Sequence, residues 1–477
     1  MTDILDSASP LRRAPAPAPE RGWRALSKSL CDGGRLVRPG EADYGRHSAG
    51  CNKRYAGTSP EGVALCRGVG DVAAALRWAQ DEGMPFAVRS GGHSYAGFSD
   101  SSGLVIDVAG LSTVDVGADR VRVGPGVLQQ RLHGALRDSG RTVPVGRCPT
   151  VAMGGLVLGG GIGFTARHHG LTCDVLVETE VLTASGELLR CSPDQHADLF
   201  WACRGGGGGN FGINTSFTLA TVPVSVTSLF ELTWDIEQAQ PVMAAAQQVL
   251  AGGPDELGMR IDVSTAGEHP AKVAAQATVT VIGQLAGSQQ RLLAILAPML
   301  AIPGLRKRSV RECDHWTAVD TFAELLPIHH FAVKSLMVPS VLPPDAVELL
   351  VSELLRWPGS ANEDGAVLAL FAIGGAIGRV AHDATAFAHR GAAQILALET
   401  NWLDEEAHLA DVHVDWLDRL YQRVRPYVSD GAYPNFPDRD LPHWRRAYYG
   451  TNDERLVEVK RRYDPAGAFR FEQSVGS

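Results

Sequence analysis

The residues best placed to do chemistry begin with Arg89-Ser90-Gly91-Gly92-His93-Ser94-Tyr95-Ala96-Gly97, directly after the apolar run 85–88. Glycines let a backbone turn tightly and approach a ligand closely. Successive bare N–H groups in such a turn form a nest suited to phosphate. Arg89 would add a fixed positive charge, and His93 would stand on the loop with its imidazole available. Alone, such a loop is as readily a structural turn. A second stretch, 144–163, carries Arg147-Cys148-Pro149-Thr150-Val151 and then glycines 154, 155, 159, 160, 161 and 163. Glycine costs a helix interior about 1 kcal/mol against alanine, so this density speaks for close approach of backbone to a flat ring or a diphosphate. A third stretch runs 199–204, then five glycines, then Asn210-Phe211-Gly212. A nicotinamide site is the obvious rival. It would need its glycines directly after a first strand, with an acid about 20 residues on. Here they follow a cysteine-bearing loop, and no Walker lysine accompanies them.

These loops need strands and helices to hold them. Residues 59–88 read as a β-α-β unit: a strand at 62–66, a helix carrying Val72, Ala75, Leu76 and Ala79 with Asp71 as its cap, and a strand at 85–88 delivering the His93 loop. Strands follow at 104–108, 121–123 and 175–182, the last turning at 183–187. A helix at 127–140 ends on glycine. From about residue 225 the texture changes. Strands are expected at 226–233, 271–282 and 365–373, and helices at 238–251, 288–300, 346–355 and 407–424. This is an α+β unit, a sheet with helices on one side.

The chain of 477 residues is long enough for roughly three domain-sized units. A net charge of −9 without any basic run argues against a nucleic-acid surface. No apolar run reaches the roughly 18 residues of a membrane span. Residues 1–22 hold Ala-Pro repeats and lack the apolar core of a secretory signal, so a disordered or extended tail is expected. The eight cysteines form no C-x-x-C pair. That speaks against a metal site and for free thiols in a cytoplasmic protein, with a Cys31 bridge to Cys51 or Cys66 as the alternative.

Together the three glycine stretches resemble the FAD-linked oxidases of the vanillyl-alcohol oxidase superfamily, and more closely their berberine bridge enzyme-like branch, from about Asn52 to the C-terminal tail. The resemblance implies a PCMH/VAO-type FAD-binding domain at 26–225 behind a tail at 1–25. It implies a substrate domain at 226–425 whose antiparallel sheet roofs the flavin, and a return to the flavin domain at 426–477. It implies FAD anchored covalently at its 8α-carbon by His93 and at C6 by Cys148. Further flavin contacts would come from Arg89, Ser90, Gly91, Gly92, Ser94, Tyr95, Gly146, Val151, Gly154, Gly155, Gly159, Gly160, Gly163, Gly208, Asn210, Ile213, Tyr433 and Asn435. Asn452, in a tail that matches the family's closing segment, could also reach the flavin. In this family the position of Val151 governs oxygen access, and a small valine points to an oxidase.

The chain departs from the family in one respect. Tyr433-Pro434-Asn435-Phe436 resembles a Y-x-N-Y motif whose last tyrosine often serves as base, and Ile162 replaces a second frequent tyrosine. A base must then come from elsewhere. Tyr433 and Glu399 are the first candidates, with packing an equal reading for Tyr433. His382 and His389 are further candidates, and Arg379 or Lys334 could hold a substrate oxygen. The implied activity is oxidation of an alcohol or hemiacetal carbon of a specialised metabolite or sugar derivative, with hydride passing to flavin N5 and dioxygen yielding hydrogen peroxide. Oxidative cyclisation or amine oxidation is the alternative, and a flavin-binding protein with little turnover is the reading from another class. The partners would be a small-molecule substrate and dioxygen, with the chain a monomer or homodimer.

Overall fold

The computed structural model describes residues 20–325 and 328–476. The Ala-Pro repeats lie outside them. The chain is already helical at Glu20–Ser29, and this helix buries Trp23 and Leu26. The Trp23 ring lies 4.5 Å from that of Trp78, so ordered packing starts before the expected tail boundary at residue 25.

The first sheet holds β1 (Arg35–Val37), β2 (Gly62–Leu65), β3 (Phe86–Arg89) and β4 (Leu104–Asp107) in the order β1-β2-β4-β3. β2, β4 and β3 run parallel, joined by the helix Val69–Asp81 as expected of a β-α-β unit. Asp71 does not cap that helix; Gly68 stands at the cap. The buried Asp71 carboxylate instead accepts the backbone N–H groups of Asp32 and Arg67, tying an earlier loop to the first turn.

A second sheet comprises β5 (Val114–Val116), β6 (Arg120–Val123), β8 (Leu176–Leu182), β9 (Leu188–Cys191) and β10 (Ile213–Ala220), in the order β5-β6-β10-β8-β9. β7 (Arg141–Thr142) pairs with β11 (Val222–Pro223) beside it. The helix Gln129–Leu136 runs into a 3₁₀ turn ended by Gly140 at φ +66°.

Above these stands a seven-stranded antiparallel sheet: β12 (Thr227–Asp235), β13 (Leu257–Thr265), β14 (Thr278–Ala286), β15 (Leu305–Cys313), β16 (His330–Val338), β17 (Ala366–Ala372) and β18 (Gln394–Trp402), ordered β15-β12-β14-β13-β17-β18-β16. Helices Ala239–Gly252, Gln289–Leu300, Pro344–Leu354 and Ala410–Val424 bury Val242, Leu292, Leu350 and Trp416 in one core with strand residues such as Leu396 and Leu398. Side chains alternate along a strand, so Ala397, Glu399 and Asn401 leave the other face of β18 and line a cleft. The expected strand at 271–282 is wrong in its first half. Residues Pro270–Gln276 form a helix, started by Pro270 and capped by the His269 side chain, and β14 begins only at Thr278. All eight cysteines are free, and among the described residues no helix is long and apolar enough to cross a membrane.

Candidate active site

Between the two lower sheets and the roof lies a cleft of about 1100 Å³, larger than most small-molecule pockets. Its floor is the loop delivered by β3. Gly92 turns it at φ +72°. A Cβ on Gly91 would lie 2.9 Å from the backbone nitrogen of Ala152, so the His93 and Cys148 segments touch backbone to backbone. Ser90, Gly91, Gly92, His93, Ser94 and Tyr95 all line the cleft. Arg89 does not. It is 4% exposed, pairs with the buried Asp100 at 2.5 Å and donates to the carbonyl of His47. Its charge is spent on bracing the loop, which corrects the expectation of a phosphate ligand.

His93 Nε2 lies 3.2 Å from the Thr150 hydroxyl, which lies 3.3 Å from Cys148 Sγ. One threonine thus ties the two expected anchors together. Burial holds the His93 imidazole below its ordinary pKa, so it stays neutral with a free lone pair. Its Nδ1 is buried and has no partner among the described residues. Ser99 Oγ, Gln129 Oε1 and Gln473 Oε1 are likewise buried and unpartnered, and all three residues line the same cleft. Buried polar atoms are rarely left unpaired; four along one cleft fit a large polar ligand such as FAD. Ser99, Gln129 and Gln473 were not legible in the sequence, since they belong to no motif.

The second glycine run divides by role. Residues Met153–Gly159 form a short helix despite their glycines. A Cβ at Gly155 would meet nothing within 4 Å, so this position opens on the cleft, whereas one at Gly154 would press on Ser90 Oγ at 2.9 Å. Gly159 and Gly160 do not line the cleft. A Cβ at Gly159 would strike Asn435 Oδ1 at 2.0 Å, and one at Gly160 would touch Tyr433 and Phe387. They are packing glycines, and their expected flavin contact is corrected. Gly146, Gly163, Gly208, Asn210 and Ile213 do line the cleft. Val151 lies on its wall, its backbone N–H bonded to the Cys148 carbonyl.

The roof brings down Glu399, flanked in register by Val333 and Val367. Burial, with the Glu324 carboxylate nearby, pushes its pKa up to about 7 against a hydrogen bond from Asn401 and the charge of Arg260. Asn401 Oδ1 in turn lies 2.7 Å from His329 Nε2. Beside Glu399 the wall is apolar: Tyr95 stacks on Phe436 at 5.3 Å, with Phe331 and Phe371 against them.

Tyr433 reaches the cleft with a phenol that is already engaged. Its hydroxyl accepts the Gly161 N–H at 2.9 Å and the Asn435 amide at 3.2 Å, and burial pushes its pKa well above the ordinary tyrosine value. That geometry is a brace for the glycine run. Ile162 and Phe436 pack against the Tyr433 cluster. The remaining candidates are elsewhere. Lys334 pairs with Asp438 and Asp418 at 2.6 and 2.9 Å, away from the cleft. Arg379 pairs with Asp255 in solvent. His389 faces the Tyr448 carbonyl, His382 is exposed, and Asn452 donates to the carbonyls of Thr385 and Ala386. A pair of guanidiniums went unread in the sequence: Arg147 and Arg260 both meet Glu324 at the cleft wall.

The comparisons agree with this geometry. Residues 60–192 match the FAD binding domain family, and residues 432–476 match the family described as berberine and berberine like. An uncharacterized FAD-linked oxidoreductase of Bacillus subtilis (strain 168), YgaK, is 34% identical over 454 residues, covering 93% of this chain and 96% of its own. The monolignol oxidoreductase AtBBE-like 13 of Arabidopsis thaliana is 27% identical, covering 85% of this chain and 81% of its own. The solved structure of wild-type Physcomitrella patens BBE-like 1 superimposes with a TM-score of 0.86 at 25% identity, over 95% of this chain and 98% of that one. Xylooligosaccharide oxidase from Myceliophthora thermophila C1, in complex with xylobiose, gives 0.80 at 25%, over 94% and 99%. With an FAD-binding floor, a roofed cleft and relatives matched along nearly their whole length, the chain belongs to the berberine bridge enzyme-like family of FAD-linked oxidoreductases.

Proposed function

We propose that the protein is an oxidase acting on an alcohol or hemiacetal carbon, with FAD held covalently through His93 and Cys148 and dioxygen as final acceptor. FAD held in the cleft would supply a hydride acceptor at N5, with dioxygen as the final acceptor and hydrogen peroxide as the product. The observation that carries the reading is Glu399. A carboxyl with pKa about 7 on the substrate side of the cleft is matched to accept a hydroxyl proton at neutral pH, because general-base efficiency peaks when the pKa lies near the working pH. The neutral His93, its unpartnered Nδ1 and the Thr150 link to Cys148 support the two anchors. The apolar wall of Tyr95, Phe331, Phe371 and Phe436 favours an aryl or allylic alcohol, the class to which the related monolignol oxidoreductase points, over a bare oligosaccharide.

The test is a two-step stopped-flow experiment. Anaerobic mixing of the holoenzyme with cinnamyl alcohol should bleach the flavin at a rate that falls as pH drops below about 7, the base being active only when ionised. Glu399→Gln should slow that step by roughly 10²–10⁴. Admitting air should restore the colour rapidly with one peroxide per turnover, and Val151→Leu should slow this second step alone. Slow reoxidation of the wild type would make the protein a dehydrogenase or a flavin carrier. Loss of the yellow colour from the acid-denatured chain would refute the covalent anchors.

A further inference from the structure

The wall beside Cys148 carries more positive charge than the oxidase reading uses. Arg147 precedes Cys148, and Arg260 reaches the same wall from β13; both side chains are nearly buried, 15% and 14% exposed. Arg260 is matched along its own strand by Asp262, which takes its Nε at 2.6 and 2.8 Å. Arg147 has no such neighbour. Among the described residues its one carboxylate partner is Glu324, which also accepts from Arg260 at 3.2 Å. Glu324 is unlike its partners: its side chain is 44% exposed, it sits outside any helix or strand, and it is followed by Leu325, 70% exposed. Both guanidiniums lie against aromatic rings, Arg147 over Phe164 at 5.1 Å and Arg260 over Phe371 at 5.4 Å, and both residues line the cleft. A pair of guanidinium forks is suited to a carboxylate, and that of Glu324 already sits there.

Resting on the oxidase reading for the reacting end, we propose that Arg147 and Arg260 form an anion subsite that Glu324 fills from within the chain, and that the substrate is an alcohol bearing a carboxylate on an apolar body. The substrate carboxylate replaces that of Glu324, so the count of charges on the wall is unchanged. Its apolar body then lies along Phe371 and Phe436, and its hydroxyl reaches Glu399. The same exchange gives selectivity: a neutral alcohol of the same shape leaves Glu324 paired with the two cations, lacks this contact and binds more weakly.

The test reads binding without turnover. Benzoate is titrated into the oxidised holoenzyme, with the flavin absorbance as signal and benzyl alcohol as the neutral control. Benzoate should bind with a saturable spectral shift. Glu324→Gln should tighten it by roughly tenfold or more, and Arg147→Met should weaken it by a similar factor, with benzyl alcohol changing less than about twofold in either variant. Arg147→Lys should recover part of the loss. Glu324→Gln leaves Arg147 and the Cys148 segment intact, so it decides the matter even if Arg147→Met fails to hold flavin. Benzoate affinity unchanged in Glu324→Gln, or equal shifts for benzoate and benzyl alcohol, would overturn the subsite. Normal benzoate behaviour in a protein that oxidises no alcohol would leave the subsite standing and remove the oxidase reading instead.

Discussion

At Glu399 the needs of the reaction oppose those of the fold. Its carboxyl is held up to about 7 against about 4.3 in a free peptide, so the folded chain binds this proton more tightly than the unfolded one. Stability contributed by the neutral carboxyl is present below the unfolded value and is lost as pH rises through the folded one. Glu399→Gln should therefore be more stable than the wild type at pH 8, by on the order of 1–3 kcal/mol, and no more stable near pH 4; denaturant midpoints at the two pH values check this. Coincident midpoints at pH 8 would mean that the carboxyl is well solvated and not poised. Tyr433 lies at the other extreme. Tyr433→Phe leaves the buried Gly161 N–H without its acceptor, which costs about 1–3 kcal/mol, while flavin reduction should change less than about tenfold, below the range for a lost base. A larger kinetic loss with unchanged stability would return the phenol to the chemistry. The sequence showed Tyr433 and Glu399 as side-chain types at plausible positions. It could not rank them, because ranking depends on which atoms surround each group, and Gly161, Asn435, Asn401 and Glu324 come from four separate parts of the chain.

Among the elements, the glycine-bearing segments were legible and the roof strands only partly so. The His93 loop, the Cys148 segment and the β-α-β unit are local patterns, and each formed where its residues implied. Strands β16 and β18 were missed because both faces are covered, so that runs such as Ile395 to Leu398 read as continuously apolar and resemble a buried helix. β13, by contrast, alternates Met259, Ile261 and Val263 with Arg260, Asp262 and Ser264, and its period of two went unread. β15 was missed for the opposite reason: it is an edge strand rich in arginine and lysine, a usual defence of an open edge. Two glycines separate close packing from cofactor contact. Gly258 in β13 lies where a Cβ would come 1.8 Å from the Phe164 carbonyl, so roof and floor meet there backbone to backbone. Gly258→Ala must push the two apart, and its thermal midpoint should fall by more than about 5 °C. Gly155→Ala meets no protein atom and lies in a helix, so apoprotein stability should hold or rise by about 0.5–1 kcal/mol, while flavin content on purification falls. If Gly155→Ala carried a full complement of flavin, that position would not face the cofactor.

At the scale of the whole molecule, His133, His169, His389 and His413 each have their pKa lowered to about 4, first of all by burial. Their folded values lie below the unfolded value near 6.5. The stability they contribute is present above about pH 6.5 and is lost as pH falls toward 4. Thermal melts should therefore show a steep decline between those limits. A flat profile from pH 7 to 4 would mean that these rings accept protons without strain. The arrangement of the cleft has one more consequence, for how the protein is made. Its wall includes Ser90 near the start of the fold and Gln473 near the end, and Asn210 is clasped from the far end by Lys460 and by the N–H of Val475. A chain still emerging from the ribosome thus offers half a pocket at best. Cofactor capture therefore waits on the segment that carries Lys460, Gln473 and Val475, and ending the chain before Gln473 should yield colourless protein.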